Sequence, residues 1–233
     1  MHIELIPVID IAYNNQDVAA PNKYPYWENA ELWDAYHAEC YAKAGFTDML
    51  IPYLKGASFV KLTDISDNNL QKLVIDHTEG LREGEYKREQ TCTFFGGYVL
   101  KVDGKDAYFP QCCGELSDIM YWEKLSEGQY CYYNGHPEPQ IKIDKQLITL
   151  DFSLDENDEV FEPPPTDLTL KINREALIDA VRNVKTELDI FAKRLDNINE
   201  VNHLNIENIS NLLIWHNPNA SIKAKSMEIL RGS

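Results

Sequence analysis

Basic residues are the scarce class in this chain: 22 Lys and Arg stand against 38 Asp and Glu, a formal net charge of −16. The shortage is local. Residues 1–170 hold 13 basic against 30 acidic side chains, whereas residues 171–233 hold 9 against 8. A field of that sign repels phosphate backbones and anionic lipid, so neither nucleic acid nor a membrane surface is an expected partner. It attracts a basic protein or a cation, and it also serves the plainer purpose of keeping a globular protein soluble. Long apolar runs are missing too, and no segment approaches the roughly 20 residues that span a bilayer. No basic leader precedes the first apolar run, which carries Glu4 and Asp10, so it does not read as a signal peptide and the expected location is cytoplasmic. Cysteines are few and odd in number, at positions 40, 92, 112, 113 and 131. That count argues against a disulfide framework and for free thiols in a reducing compartment.

The familiar chemical signatures are also absent. No G-x-x-x-x-G-K-[ST] occurs, and Gly96-Gly97 lacks the G-x-G-x-x-G context that binds dinucleotides. H-E-x-x-H and G-x-S-x-G are missing. The acidic run at 155–159 resembles a calcium loop only in its acidity, since it lacks the glycine turn and the closing glutamate. No cofactor is therefore expected.

What is present describes a folded protein: 44% of residues are apolar and 11% aromatic, enough for a substantial core in 233 residues. The densest signals lie over residues 93–119. Asp103-Gly104 supplies the positive-φ residues of a tight turn, predicting paired strands over 94–102 and 105–109. Gly96-Gly97 inside the first strand marks a bulge or a close backbone approach. An opening strand is expected over 3–11, a helix over 28–44 ending at Gly45, and a strand over 57–62. A helix over 67–81 and a solvated mixed-charge turn over 80–90 follow. Ser117 is positioned to cap a short helix over 118–125 that turns Met120, Trp122 and Leu125 inward. A strand over 129–133 leads to a second turn signal, Asn134-Gly135, and a hairpin over 140–144 and 146–153 extends the same sheet.

Pro163-Pro164-Pro165 must be extended, and the charge balance changes there. The expected organisation is an acidic α+β domain over 1–160, a proline-rich linker over 161–170, and a helical segment over 171–233 docked on the first domain. Asn173 is positioned to cap a long helix over 174–199. Leu177, Val181, Val184, Leu188, Phe191, Leu195 and Ile198 follow the 4, 3 spacing of a heptad seam, which suits either intramolecular docking or a homodimer. Shorter helices are expected over 206–215 and 221–230, separated by Asn217-Pro218-Asn219. The fold class is α+β, a mainly antiparallel sheet with helices packed on one face and a helical C-terminal segment.

Two places draw attention as candidate binding sites. Tyr24, Tyr26 and Trp27 form an aromatic cluster on a proline turn, suited to recognition or to plugging the core beside the helix that follows. Cys112, Cys113 and Asp118 lie on the loop leaving the central hairpin. A cysteine there, near a helix start, is a candidate nucleophile with His136 or His77 as base, and Glu115 with Asp118 forms either a carboxylate pair or a helix N-terminal charge pattern. Cys92, Cys112, Cys113, Cys131 and His136 would suit zinc if they converged, but adjacent cysteines lack the C-x₂₋₄-C spacing of a zinc knuckle. No catalytic or metal-ligating residue is assigned on this basis. His37 and Cys40 read as core or boundary residues. The expected function is a non-enzymatic protein-binding module, such as an acidic inhibitor or immunity-type protein for a basic partner, acting as a monomer or as a homodimer through the long helix. The alternative is a small enzyme with a cysteine or metal site on the loop over residues 110–119.

Overall fold

The computed structural model describes residues 1–14, 16–153 and 159–215; the expected helix over 221–230, Asn217-Pro218-Asn219 and most of the acidic run at 155–159 lie outside these. Strand β1 (Ile3–Asp10) turns Ile3 and Leu5 into the core and pairs antiparallel on both sides. Helix α1 (Ala30–Ala44) stops where Gly45 takes φ 88°, a conformation that costs glycine nothing. Strand β2 (Phe59–Lys61) precedes helix α2 (Asp67–His77), whose Asn69 N–H donates to the Ser66 hydroxyl at 3.2 Å. The helix expected over 67–81 divides at Thr78, where the Thr78 hydroxyl donates to the Val74 carbonyl at 2.7 Å, and α3 (Glu79–Glu83) starts afresh.

Strands β3 (Gly96–Val102) and β4 (Lys105–Tyr108) form the expected hairpin, with Asp103 and Gly104 at φ 49° and 80°. The first sheet has the order β2-β1-β3-β4, antiparallel throughout. A 3-10 turn (Leu116–Asp118) leads into α4 (Ile119–Ser126), which buries Tyr121, Trp122 and Leu125. Met120, expected inside, is 50% exposed, because two positions before Trp122 it stands about 200° round the helix, on the opposite face. Strands β5 (Gln140–Ile143), β6 (Leu147–Asp151) and β7 (Thr169–Asn173) make a second antiparallel sheet. Residues 129–133 form no strand to join the two sheets. The reason lies at Asn134, whose backbone and side chain both donate to the Asp118 carboxylate, tying this segment to the start of α4 rather than to a hairpin.

Helix α5 (Arg174–Val201) packs on β1 and α4, and all seven seam residues from Leu177 to Ile198 are buried within this chain. Its first turn is held by the Asn173 carboxamide oxygen, which accepts from the Ala176 N–H at 3.1 Å. Asn173→Ala is expected to cost about 1 kcal/mol and to lower the thermal midpoint by roughly 2–4 °C, read by calorimetry. Arg174 donates to the Ser126 and Lys145 carbonyls, fastening the helix start to α4 and to the β5–β6 turn. Of the helix expected over 206–215, a wide turn (Asn211–Trp215) forms, with Leu212, Leu213 and Ile214 buried. One hydrophobic core runs through both sheets and α5. Among the described residues, no helix is long and apolar enough to cross a membrane.

Candidate binding cleft

The cleft begins with a glycine. Gly96 pairs with Ile9 at φ 130°, so close to β1 that a Cβ there would lie 2.2 Å from the Val8 carbonyl oxygen. This close approach, with Gly97 beside it, lets the exit loop of the hairpin lie back on the strand. The Gly96 N–H donates to the Gly114 carbonyl at 2.8 Å, and Phe95 pairs with Glu115. The loop also gathers its neighbours. The His136 N–H donates to the Cys112 carbonyl at 2.9 Å, and the Glu162 N–H to the Gln111 carboxamide oxygen at 2.9 Å. On the far wall, Gly56 at φ 84° donates its N–H to the Asp34 carboxylate at 2.7 Å and leaves room for the Tyr26 backbone.

Between these walls lies a cleft of about 770 Å³. It is lined by Asp10 at the end of β1, Trp33 and His37 of α1, Ser58, Phe59, Phe95, the loop from Gln111 to Gly114, His136, Glu159 and Glu162. Three carboxylates thus meet from two distant segments, Asp10 from β1 and Glu159 and Glu162 from the other, and among the described residues no Lys or Arg lines the cleft. Asp10 accepts from the Ser58 hydroxyl at 2.5 Å, yet burial holds its pKa above the usual carboxylate value. Glu159 meets the His136 Nδ1 at 2.9 Å, and Glu162 accepts from the Tyr24 hydroxyl. Burial and that carboxylate push the Tyr24 phenol up to about 12. His37 is buried, its Nδ1 has no hydrogen-bond partner, and burial lowers its pKa. Burial thus favours the neutral imidazole.

No family model, curated protein or solved structure matches this chain.

Of the six residues singled out from the sequence, Tyr26, Cys112 and Cys113 line the cleft. Tyr24 stands at its edge through Glu162, 56% exposed. Trp27 packs edge-on against Tyr26, with ring centroids 4.8 Å apart, and does not line the cleft. Asp118 lies behind the loop, buried, accepting from the Glu115 N–H at 2.9 Å and from Asn134. Its role is to hold the loop and the 134–136 segment together. Glu115 accepts from the hydroxyls of Thr93 and Ser117 at 2.8 and 3.2 Å, so Glu115 and Asp118 act in local hydrogen bonding at the helix start.

The surroundings of Cys112 do not favour a thiolate. A nearby helix start would lower the thiol pKa, but the hydrogen bond with Cys113, followed by burial and nearby negative charge, raises it. A nucleophilic thiolate needs the opposite, electropositive surroundings. His77 is not brought to these thiols: it does not line the cleft, and its Nε2 meets the Cys92 carbonyl at 2.9 Å. Asp10, Trp33, His37 and Glu162 were not legible as site residues, since each gains meaning only when separate segments meet.

Proposed function

We propose that this protein is a non-enzymatic binding module whose cleft takes a basic side chain of a protein partner, in the manner of an acidic inhibitor or immunity-type protein. The carrying observation is that Asp10, Glu159 and Glu162 line one cleft with no Lys or Arg beside them among the described residues. A guanidinium entering there meets carboxylates for charge-assisted hydrogen bonds and the rings of Trp33, Phe59 and Phe95 for stacking. The chain-wide charge of −16 supplies long-range steering toward such a partner.

The test is titration with an arginine-rich peptide, followed by fluorescence of the cleft residue Trp33. Affinity is expected to fall about tenfold or more between roughly 20 and 300 mM salt as the charges are screened. Glu159→Gln combined with Glu162→Gln is expected to weaken binding about tenfold, equivalent to ~1.4 kcal/mol. Binding that is insensitive both to salt and to this double substitution would reject the cleft as the site.

A further inference from the structure

We propose that Cys112, Cys113 and His136 form a zinc site at the mouth of this cleft. The two Sγ atoms lie 3.5 Å apart, and one ring nitrogen of His136 lies within 4.8 Å of both. Two thiolates on a tetrahedral zinc at ~2.3 Å each are about 3.8 Å apart, and a thiolate sulfur and an imidazole nitrogen about 3.6 Å. The present spacing is thus close to a coordinated one, and side-chain rotation alone can close it.

Adjacent cysteines ordinarily make poor partners because successive side chains of an extended chain point to opposite sides. Here Cys113 adopts φ 63°, a left-handed conformation that is uncommon for cysteine and brings its thiol round beside that of Cys112. The pair does by backbone conformation what a C-x₂-C loop does by spacing. The third donor is fixed independently. The backbone of His136 is hydrogen-bonded to Cys112, and its Nδ1 lies 2.9 Å from the Glu159 carboxylate. Donating Nδ1–H to that carboxylate leaves the Nε2 lone pair as the ligand, the arrangement by which carboxylates orient metal-binding imidazoles. Cys92 and Cys131 do not join the group among the described residues.

Two thiolates with a neutral imidazole select a borderline-soft cation such as Zn²⁺ over calcium or magnesium. All three ligands are exposed, which gives the ion a way in and leaves a fourth position facing the cleft. On binding, two S–H bonds are replaced by two Zn–S bonds and two protons leave to solvent. The two negative charges gained by sulfur cancel those of the ion, so the site leaves the local net charge unchanged. The two readings share Glu159, but Cys112, Cys113 and His136 test the zinc site alone, so its failure is distinguishable from failure of the basic-partner reading.

The test uses the full-length protein, reduced with a phosphine and freed of metal. Zn²⁺ is titrated against a chromophoric chelator, and Co²⁺ serves as spectroscopic surrogate. One equivalent is expected to bind, and the cobalt form is expected to show near-ultraviolet thiolate charge transfer with tetrahedral d–d bands. Glu159→Gln is expected to weaken binding by roughly 10–100-fold, and Cys112→Ser, Cys113→Ser or His136→Ala by more. Cys92→Ser should leave it unchanged. Because the three ligands are exposed, circular dichroism of each variant is expected to match the parent and separates lost binding from lost folding. Absence of the charge-transfer band, or undiminished affinity in Cys113→Ser or His136→Ala, would overturn the site.

Discussion

Gly96→Ala is expected to destabilise the protein by more than about 4 kcal/mol, a large part of the ~5–15 kcal/mol that holds a domain folded. The added Cβ would stand 2.2 Å from the Val8 carbonyl oxygen and 2.9 Å from both the Asp10 nitrogen and the Ile9 Cα. All three are backbone atoms of β1, so no side chain can swing away to relieve the clash. The φ of 130° adds strain for any residue with a side chain. Relief requires parting β1 from β3, which also lifts the loop held by the Gly96 and Gly114 hydrogen bond and opens the cleft. Gly104→Ala provides the comparison. Its φ is 80° but nothing lies within 4 Å of the added carbon, and a loss of only about 1 kcal/mol is expected. Urea titration of both variants measures the difference. A Gly96→Ala variant within about 1 kcal/mol of the parent would disprove the close approach on which the cleft is built.

The second large effect is carried by pH at Asp118. Burial pushes its carboxyl from 3.8 up to about 7, against three N–H donors that favour the charged form. The folded state then binds this proton more tightly than the unfolded chain does. Its contribution is fully present below about pH 4 and is lost as pH rises toward 7, a change on the order of 4 kcal/mol at ~1.36 kcal/mol per pH unit. Self-repulsion of the −16 net charge acts in the same direction, so the parent alone does not isolate Asp118. Asp118→Asn does. Its amide oxygen can keep the two Asn134 donors, but its NH₂ faces the Glu115 N–H, so at about pH 5 the variant is expected to be less stable by ~1–3 kcal/mol. By about pH 8 that gap is expected to close or reverse, because only the parent carries the buried charge. Denaturant titrations at intervals between these limits check it, and a gap that stays constant with pH would contradict the account.

What could be read from the sequence was what is decided locally. Asp103-Gly104 set a turn, Asn173 capped α5, Gly45 ended α1, and the 4, 3 spacing from Leu177 marked the buried face of the long helix. Each depends on residues a few positions apart. The division into two sheets was not legible because it depends on Asn134 reaching Asp118 rather than on strand propensity. The site divides along the same line. Cys112, Cys113 and Tyr26 stood out by residue type, whereas Asp10 and Glu162 look like any surface carboxylates until Gln111 and Ser58 bring their segments together. Spacing rules counted against Cys112 and Cys113 as joint ligands because a rule about residue number carries no information about φ, and φ at Cys113 turns the second thiol toward the first.

The central claim, that the acidic cleft receives a basic partner, is tested most directly by backbone-amide NMR during titration with an arginine-rich peptide. The account expects the largest shifts at Gly56, Phe95, Gly96 and the Cys112 to Gly114 loop, all weakened by added salt. Shifts concentrated on the exposed face of α5, or spread evenly over the acidic surface, would contradict it.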